Sequence, residues 1–217
     1  MIPAAYNGIF GFKPTWNAIS VEGAKTASIS CDTIGLFSRS IGDLTMLSKV
    51  FRLEDDQPVP SEAFQLQGAT IGFCKGPNWS AAGEGTRGAM SLARRMLEEA
   101  GAVVEDVDLP SGFGKICDWY PKTFKGEGRS SFLSEYCLDK TRLAPNLREH
   151  IERPLSEVSR KDQLEAFDGI AKLRPRFDEI ASSYAAILTP SAIDEAGVGL
   201  DYPGNSVFSE SSPKSAS

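Results

Sequence analysis

Residues 68–110, GATIGFCKGPNWSAAGEGTRGAMSLARRMLEEAGAVVEDVDLP, decide the fold class. GATIGFC (68–74) is a short apolar run built on Ile71 and Phe73, and it reads as a strand. From Thr86 to Ala100 the residues Ala89, Leu92, Ala93, Met96, Leu97 and Ala100 fall on one helical stripe. Gly101 stands where a glycine ends such a helix in the left-handed conformation. AVVEDVDLP (102–110) is a second strand, with Val103, Val107 and Leu109 expected on one face. Strand, helix, strand with a long crossover makes a parallel, right-handed β-α-β unit. The chain is therefore expected to be α/β, with a mixed, mainly parallel sheet flanked by helices.

Outward from this unit the pattern continues. Upstream, SRSIGDLTMLSKVFRL (38–53) predicts a helix capped by Ser40 with Asp43 three residues on. Its expected inner face is Ile41, Leu44, Leu47, Val50 and Phe51. EDDQPVPSE (54–62) reads as a charged linker, and its acidic run Glu54-Asp55-Asp56 as solvated. Downstream, residues 112–138 carry six aromatics, and residues 155–184 predict a long amphipathic helix that Pro175 should kink or break. Ala185–Leu188 predicts a buried strand before Thr189-Pro190. After Gly204, NSVFSESSPKSAS is a Ser-rich tail expected to be disordered.

Composition excludes several classes. The 217 residues are 41% hydrophobic and 24% charged, with a net charge of −6. No Lys/Arg stripe is present, so neither nucleic acid nor an anionic membrane is an expected partner. No apolar run approaches the ~20 residues a membrane helix needs. The opening MIPAAY has no basic stretch before its apolar part, so no secretory signal is expected. Cys31, Cys74, Cys117 and Cys137 are widely spaced, and they read as free thiols of a cytoplasmic protein. With one histidine, His150, far from them in sequence, no metal site and no cofactor are expected.

Three stretches have the spelling of chemistry. Gly83-Glu84-Gly85-Thr86-Arg87-Gly88 matches G-x-G-x-x-G, with Asp106 and Asp108 about twenty residues later. PNWSAA separates it from the preceding strand, and Glu84 would put a carboxylate beside a phosphate. The expected reading is a loop entering a helix, with nucleotide binding as its rival. Ser28, Ser30, Cys31 and Asp32 in TASISCDT resemble a nucleophile cluster, but a nucleophile needs a base within hydrogen-bond reach. Nothing in the sequence ties His150 to this loop, so turn and capping hydrogen bonds are expected instead.

At the N-terminus, PAAYNG (3–8) reads as a helical turn opened by Pro3 and stopped at Gly8, with an extended piece after it. Lys13-Pro14 forces an extended or turn conformation at Lys13, and Asn17 suits a left-handed position. Ile2-Pro3-Ala4-Ala5-Tyr6-Asn7-Gly8-Ile9-Phe10-Gly11-Phe12-Lys13-Pro14-Thr15 closely resembles the second half of the signature of the amidase signature family of serine hydrolases. Asp32-Thr33-Ile34-Gly35-Leu36-Phe37-Ser38-Arg39 is similar to that family's D-T-x-G-P-x-A-R stretch, with Leu36 in place of the proline. The β-α-β unit, Val107-Asp108-Leu109-Pro110 and Ile187-Leu188-Thr189-Pro190-Ser191-Ala192 follow in the family's order.

The resemblance implies an enzyme hydrolysing carbon–nitrogen amide bonds through a Ser–Ser–Lys triad, the middle Ser on a cis peptide bond. It places the nucleophile in a Gly-Gly-Ser-Ile-Arg stretch whose Arg falls at Met1, so the triad lies outside these 217 residues. It implies no catalytic residue in this chain. Pro3, Ala4, Gly8, Gly11, Lys13, Pro14, Asp32 and Gly35 are then structural motif residues. Residues 1–203 are expected to be a partial amidase domain, incomplete at both ends and inactive alone, with 204–217 as its tail. The substrate of intact relatives is a small-molecule amide. The alternative is a non-catalytic α/β binding or regulatory module, associating through an exposed sheet edge.

Overall fold

The structure, a computed structural model, describes residues 1–53, 64–153 and 157–199. The acidic run 54–56 and the tail 204–217 lie outside the described residues. Helix α1 (Ile2–Asn7) carries Pro3 in its first turn and ends at Gly8, whose φ of 61° is left-handed. Strands β1 (Phe10–Phe12) and β2 (Leu36–Ser38) form an antiparallel ribbon, Gly11 opposite Phe37. Between them Asn17 takes a φ of 65°, as its short polar side chain permits. Helix α2 (Ile41–Val50) is capped by the Ser40 hydroxyl, which accepts from the Asp43 N–H.

Strand β3 (Thr70–Phe73), helix α3 (Glu84–Glu99) and strand β4 (Val103–Asp106) form the expected parallel unit, with Gly101 at φ 88°. Helices α4 (Ile116–Ser131), α5 (Leu133–Asp139), α6 (Pro145–Glu152) and α7 (Arg160–Ala181) follow. Strand β5 (Ala186–Leu188) then joins β3 in parallel, giving the order β4-β3-β5. The chain is α/β, and its parallel sheet is separate from the β1–β2 ribbon.

Helices α4 and α7 pack together over the main apolar cluster. Phe113, Ile116 and Leu173 are buried there, with Leu109, Cys117, Trp119, Ile170, Phe177 and Ile180 against them. Gly169 admits the Trp119 ring, since a Cβ there would lie 2.5 Å from its edge. This packing outweighs the helix-breaking residues. Pro121 sits inside α4, and α7 runs on through Pro175 instead of ending there. Helix α7 also starts later than the periodicity predicts, at the capping box of Ser159 and Asp162.

Three expected faces are corrected. Helix α3 buries Thr86 and Met90, whereas Leu92 and Met96 stay 46% and 59% exposed. Its rotation is set by polar anchors: the Thr86 hydroxyl donates to the Ala192 carbonyl, and Arg94 lies over the Phe73 ring and pairs with Asp106. Helix α2 buries none of its residues, and Ile41, Val50 and Phe51 are exposed, because among the described elements only β1 and β2 pack against it closely. Strand β4 ends at Asp106, so Val107 is buried just beyond it. Val103, at the start of an outer strand, is half exposed.

Among the described residues no helix is long and apolar enough to cross a membrane.

Candidate functional site

The motif residues converge on the α1–β1–β2 corner. Ala4 is buried on the inner side of α1, and Gly11 of β1 lies directly beneath it. A Cβ on Gly11 would stand 2.8 Å from the Ala4 Cβ and 3.3 Å from the Phe37 ring. Gly8 turns the chain between the two, and the Ile9 N–H donates to the Ala4 carbonyl at 3.1 Å, locking the turn. After β1, Pro14 is buried, and the Lys13 ammonium folds back to donate to the Pro14 carbonyl at 2.9 Å. Gly35 leads into β2 with ordinary space around it, 3.8 Å from its would-be Cβ to the Phe12 carbonyl.

Asp32 organises the loop before β2. One carboxylate oxygen accepts from the Ala27 and Ser28 N–H groups at 2.6 and 3.0 Å, and the Asp32 N–H returns to the Ser28 carbonyl at 2.8 Å. The capping role expected of this cluster is therefore met at Asp32. Sequence reasoning missed its second partner, Glu127 of α4. One Glu127 oxygen accepts from the Ser28 hydroxyl, from the Ser30 hydroxyl at 2.9 Å and from the Ser30 N–H at 3.2 Å. Nothing in the local pattern of KGEGRS marks that glutamate, which lies 97 residues beyond Ser30.

Glu127 accepts from both serines here, and a nucleophile's base is not in place. His150 does come closer to this loop than the sequence suggests. A Cβ on Gly128 would lie 2.8 Å from His150 Nε2 and 3.6 Å from the Ala27 carbonyl. That Nε2 is buried and makes no hydrogen bond among the described residues. Burial holds the imidazole below its ordinary pKa, and the charges of Arg153 and Lys125 add to this. Beside the loop lies a cavity of about 320 Å³, lined among others by Ser30, Cys31, Tyr120, Asp168 and Arg174. It offers one carboxylate and one guanidinium.

The glycine fingerprint serves the fold. The Gly83 N–H donates to the Ile193 carbonyl at 2.6 Å, and the Gly85 N–H to Asp194 Oδ1 at 2.9 Å. Asp194 thus occupies the anion-attracting N-terminus of α3 with the chain's own carboxylate. Side chains at either glycine would collide with it, at 1.8 and 2.6 Å. Asp106 pairs with Arg94 at 3.1 Å and Lys75 at 3.8 Å. All four cysteines are free, and burial raises the pKa of Cys74. Among the described residues no group of three or more His, Cys, Asp or Glu is placed to hold a metal ion.

The corner, the β-α-β unit and the helices after it together match a known family. The family described as Amidase matches residues 1–198. The chain belongs to the amidase family. It is 34% identical over 121 residues to the glutamyl-tRNA(Gln) amidotransferase protein of Syntrophomonas wolfei, spanning 50% of this chain and 24% of that protein. The counterpart in Deinococcus radiodurans is 32% identical over 128 residues, 54% of this chain and 26% of that protein. Among solved structures, a crystal structure of an amidase superposes with a TM-score of 0.78 at 24% identity, covering 92% of this chain and 44% of that one. Fatty acid amide hydrolase superposes with a TM-score of 0.67 at 16% identity, covering 96% and 40%. The chain spans about a quarter of the curated amidase-family relatives it matches.

Proposed function

We propose that the protein acts on carbon–nitrogen amide bonds and that this chain supplies the support behind the nucleophile, with no triad member of its own. Residues 1–203 are read as one partial amidase domain. Pro3, Ala4, Gly8, Gly11, Lys13, Pro14, Asp32 and Gly35 are its structural residues. The observation that carries this reading is the Ala4–Gly11 contact under α1, inside the stretch that resembles the amidase signature. In that family pattern the triad lysine activates the bridging Ser, which activates the nucleophile for attack on the amide carbonyl. The close packing of β1 beneath α1 then fixes the backbone that follows the nucleophile, which is what positioned chemistry requires.

The substrate class is a small-molecule amide, in keeping with relatives named as amidases and amidotransferases. Four free thiols support a cytoplasmic setting. Association through a sheet edge is supported by β4 and β5, each bonded only to β3 among the described strands.

Activity assays test the proposal. The purified 217-residue chain is expected to release no product from a simple amide or activated ester, since loss of a triad nucleophile costs several orders of magnitude in rate. Turnover that a serine-directed covalent inhibitor abolishes overturns it.

A further inference from the structure

Helices α4, α6 and α7 enclose a cavity of about 390 Å³. Lys125 and Arg129 line it from α4, Arg153 from the end of α6 and Arg160 from the start of α7, with Glu157 as the facing carboxylate. In a chain whose net charge is −6, four cations around one small space run against the overall balance. With His150 neutral, four cations against one carboxylate leave three net positive charges.

The partners of these cations leave that charge uncancelled. Arg129 Nη1 donates to the Arg153 carbonyl at 3.1 Å, and Arg160 Nη1 to the Gln163 amide oxygen at 2.7 Å, both neutral acceptors. Arg153 pairs with Glu149 at 3.8 Å, but that glutamate side chain is 73% exposed and well screened by water. Like charges gathered in a recess repel one another unless a counter-charge joins them. His150 Nε2 and Gln163 add buried polar groups to the same wall.

We propose that this cavity binds a small phosphate-bearing ligand. A monocarboxylate cancels a single charge. A phosphate monoester carries about −1.5 to −2 and three acceptor oxygens, and planar guanidinium forks match that geometry in pairs. The volume fits a small metabolite, since ligand pockets run from about 300 Å³ upward.

His150 is the sole histidine of the chain, so its ring resonances report on the cavity without ambiguity. Inorganic phosphate is titrated into the protein at fixed ionic strength, with succinate as the carboxylate comparison. Phosphate is expected to shift the His150 ring resonances saturably and to raise the imidazole pKa, because an anion opposes Arg153 and Lys125. The double variant Lys125→Gln/Arg160→Gln is expected to weaken phosphate binding about tenfold or more. Arg160 is exposed, and neither cation is ion-paired among the described residues, so the circular-dichroism spectrum should be unchanged. If that pair of changes does unfold the chain, Lys125→Gln alone is read, with a loss of a few-fold expected. The proposal is overturned if phosphate gives no saturable shift, if the folded variant binds it unchanged, or if succinate binds more tightly than phosphate.

Discussion

Gly11 has no room for a side chain. Its missing Cβ is what lets β1 pass within contact of Ala4 on α1, and the nearest obstacles are a buried methyl and a Phe ring. Gly11→Ala is therefore expected to destabilise the protein by about 1–3 kcal/mol, the usual cost of forcing atoms into packed space. Gly35→Ala, with ordinary space around it, should stay within about 0.5 kcal/mol. Urea unfolding midpoints distinguish the two, and equal effects refute the close-approach argument. His150 gives a second test at the same scale. Its folded pKa lies below the ordinary 6.5, so the unfolded chain binds the proton more readily. Stability from this group is complete above pH 6.5 and declines as the pH falls from there through the folded pKa. His150→Gln should flatten that slope in urea melts at successive pH values between neutral and mildly acidic.

Helix α3 shows what an element owes to partners distant in sequence. Its existence, length and Gly101 stop were legible from periodicity and glycine chemistry, as were the Ser40 cap of α2, the Gly8 turn and the strand at 186–188. Its rotation was not. Apolar spacing pointed to Leu92 and Met96, whereas the buried side is set by Ala192 and Asp194, about a hundred residues away. The Asp32 loop is a parallel case: its local turn could be read from TASISCDT, but its tie to Glu127 could not, because a lone glutamate on a charged helix carries no local signal. Pro175 misled for the reverse reason, since burial of Leu173 and Phe177 against α4 outweighs one missing backbone hydrogen bond. If Asp194 is the cap of α3, Asp194→Ala should lower stability by about 0.5–2 kcal/mol, as for other N-terminal caps. Millimolar ATP or NAD should leave the melting temperature of the parent chain unchanged, because the anion position is filled. A nucleotide-dependent rise refutes this account of Gly83–Gly88.

At the scale of the molecule, the apolar surface is unevenly distributed. The α4–α7 cluster is closed, whereas α2 presents Ile41, Met46, Val50 and Phe51 at 58%, 58%, 69% and 41% exposure. Phe10 and Phe37 of the ribbon that α2 packs against are each 46% exposed as well. Apolar residues at helical spacing on an open face form a contiguous patch, and patches of that kind mark surfaces that are covered in the working assembly or that aggregate. The net charge of −6 opposes association only weakly at physiological ionic strength, where charges farther apart than about 8 Å are screened. The chain is thus expected to self-associate at micromolar concentration through the α2 face. Covering a side chain the size of Val50 contributes about 1.5 kcal/mol, so Val50→Glu should raise the dissociation constant about tenfold. The glutamate sits in the last turn of a helix where it touches no buried residue, so helicity should be nearly unchanged. Sedimentation velocity across a concentration series measures the first and circular dichroism the second. Association unaltered by Val50→Glu in a folded chain places the contact elsewhere, with the outer strands β4 and β5 as the next surfaces to test.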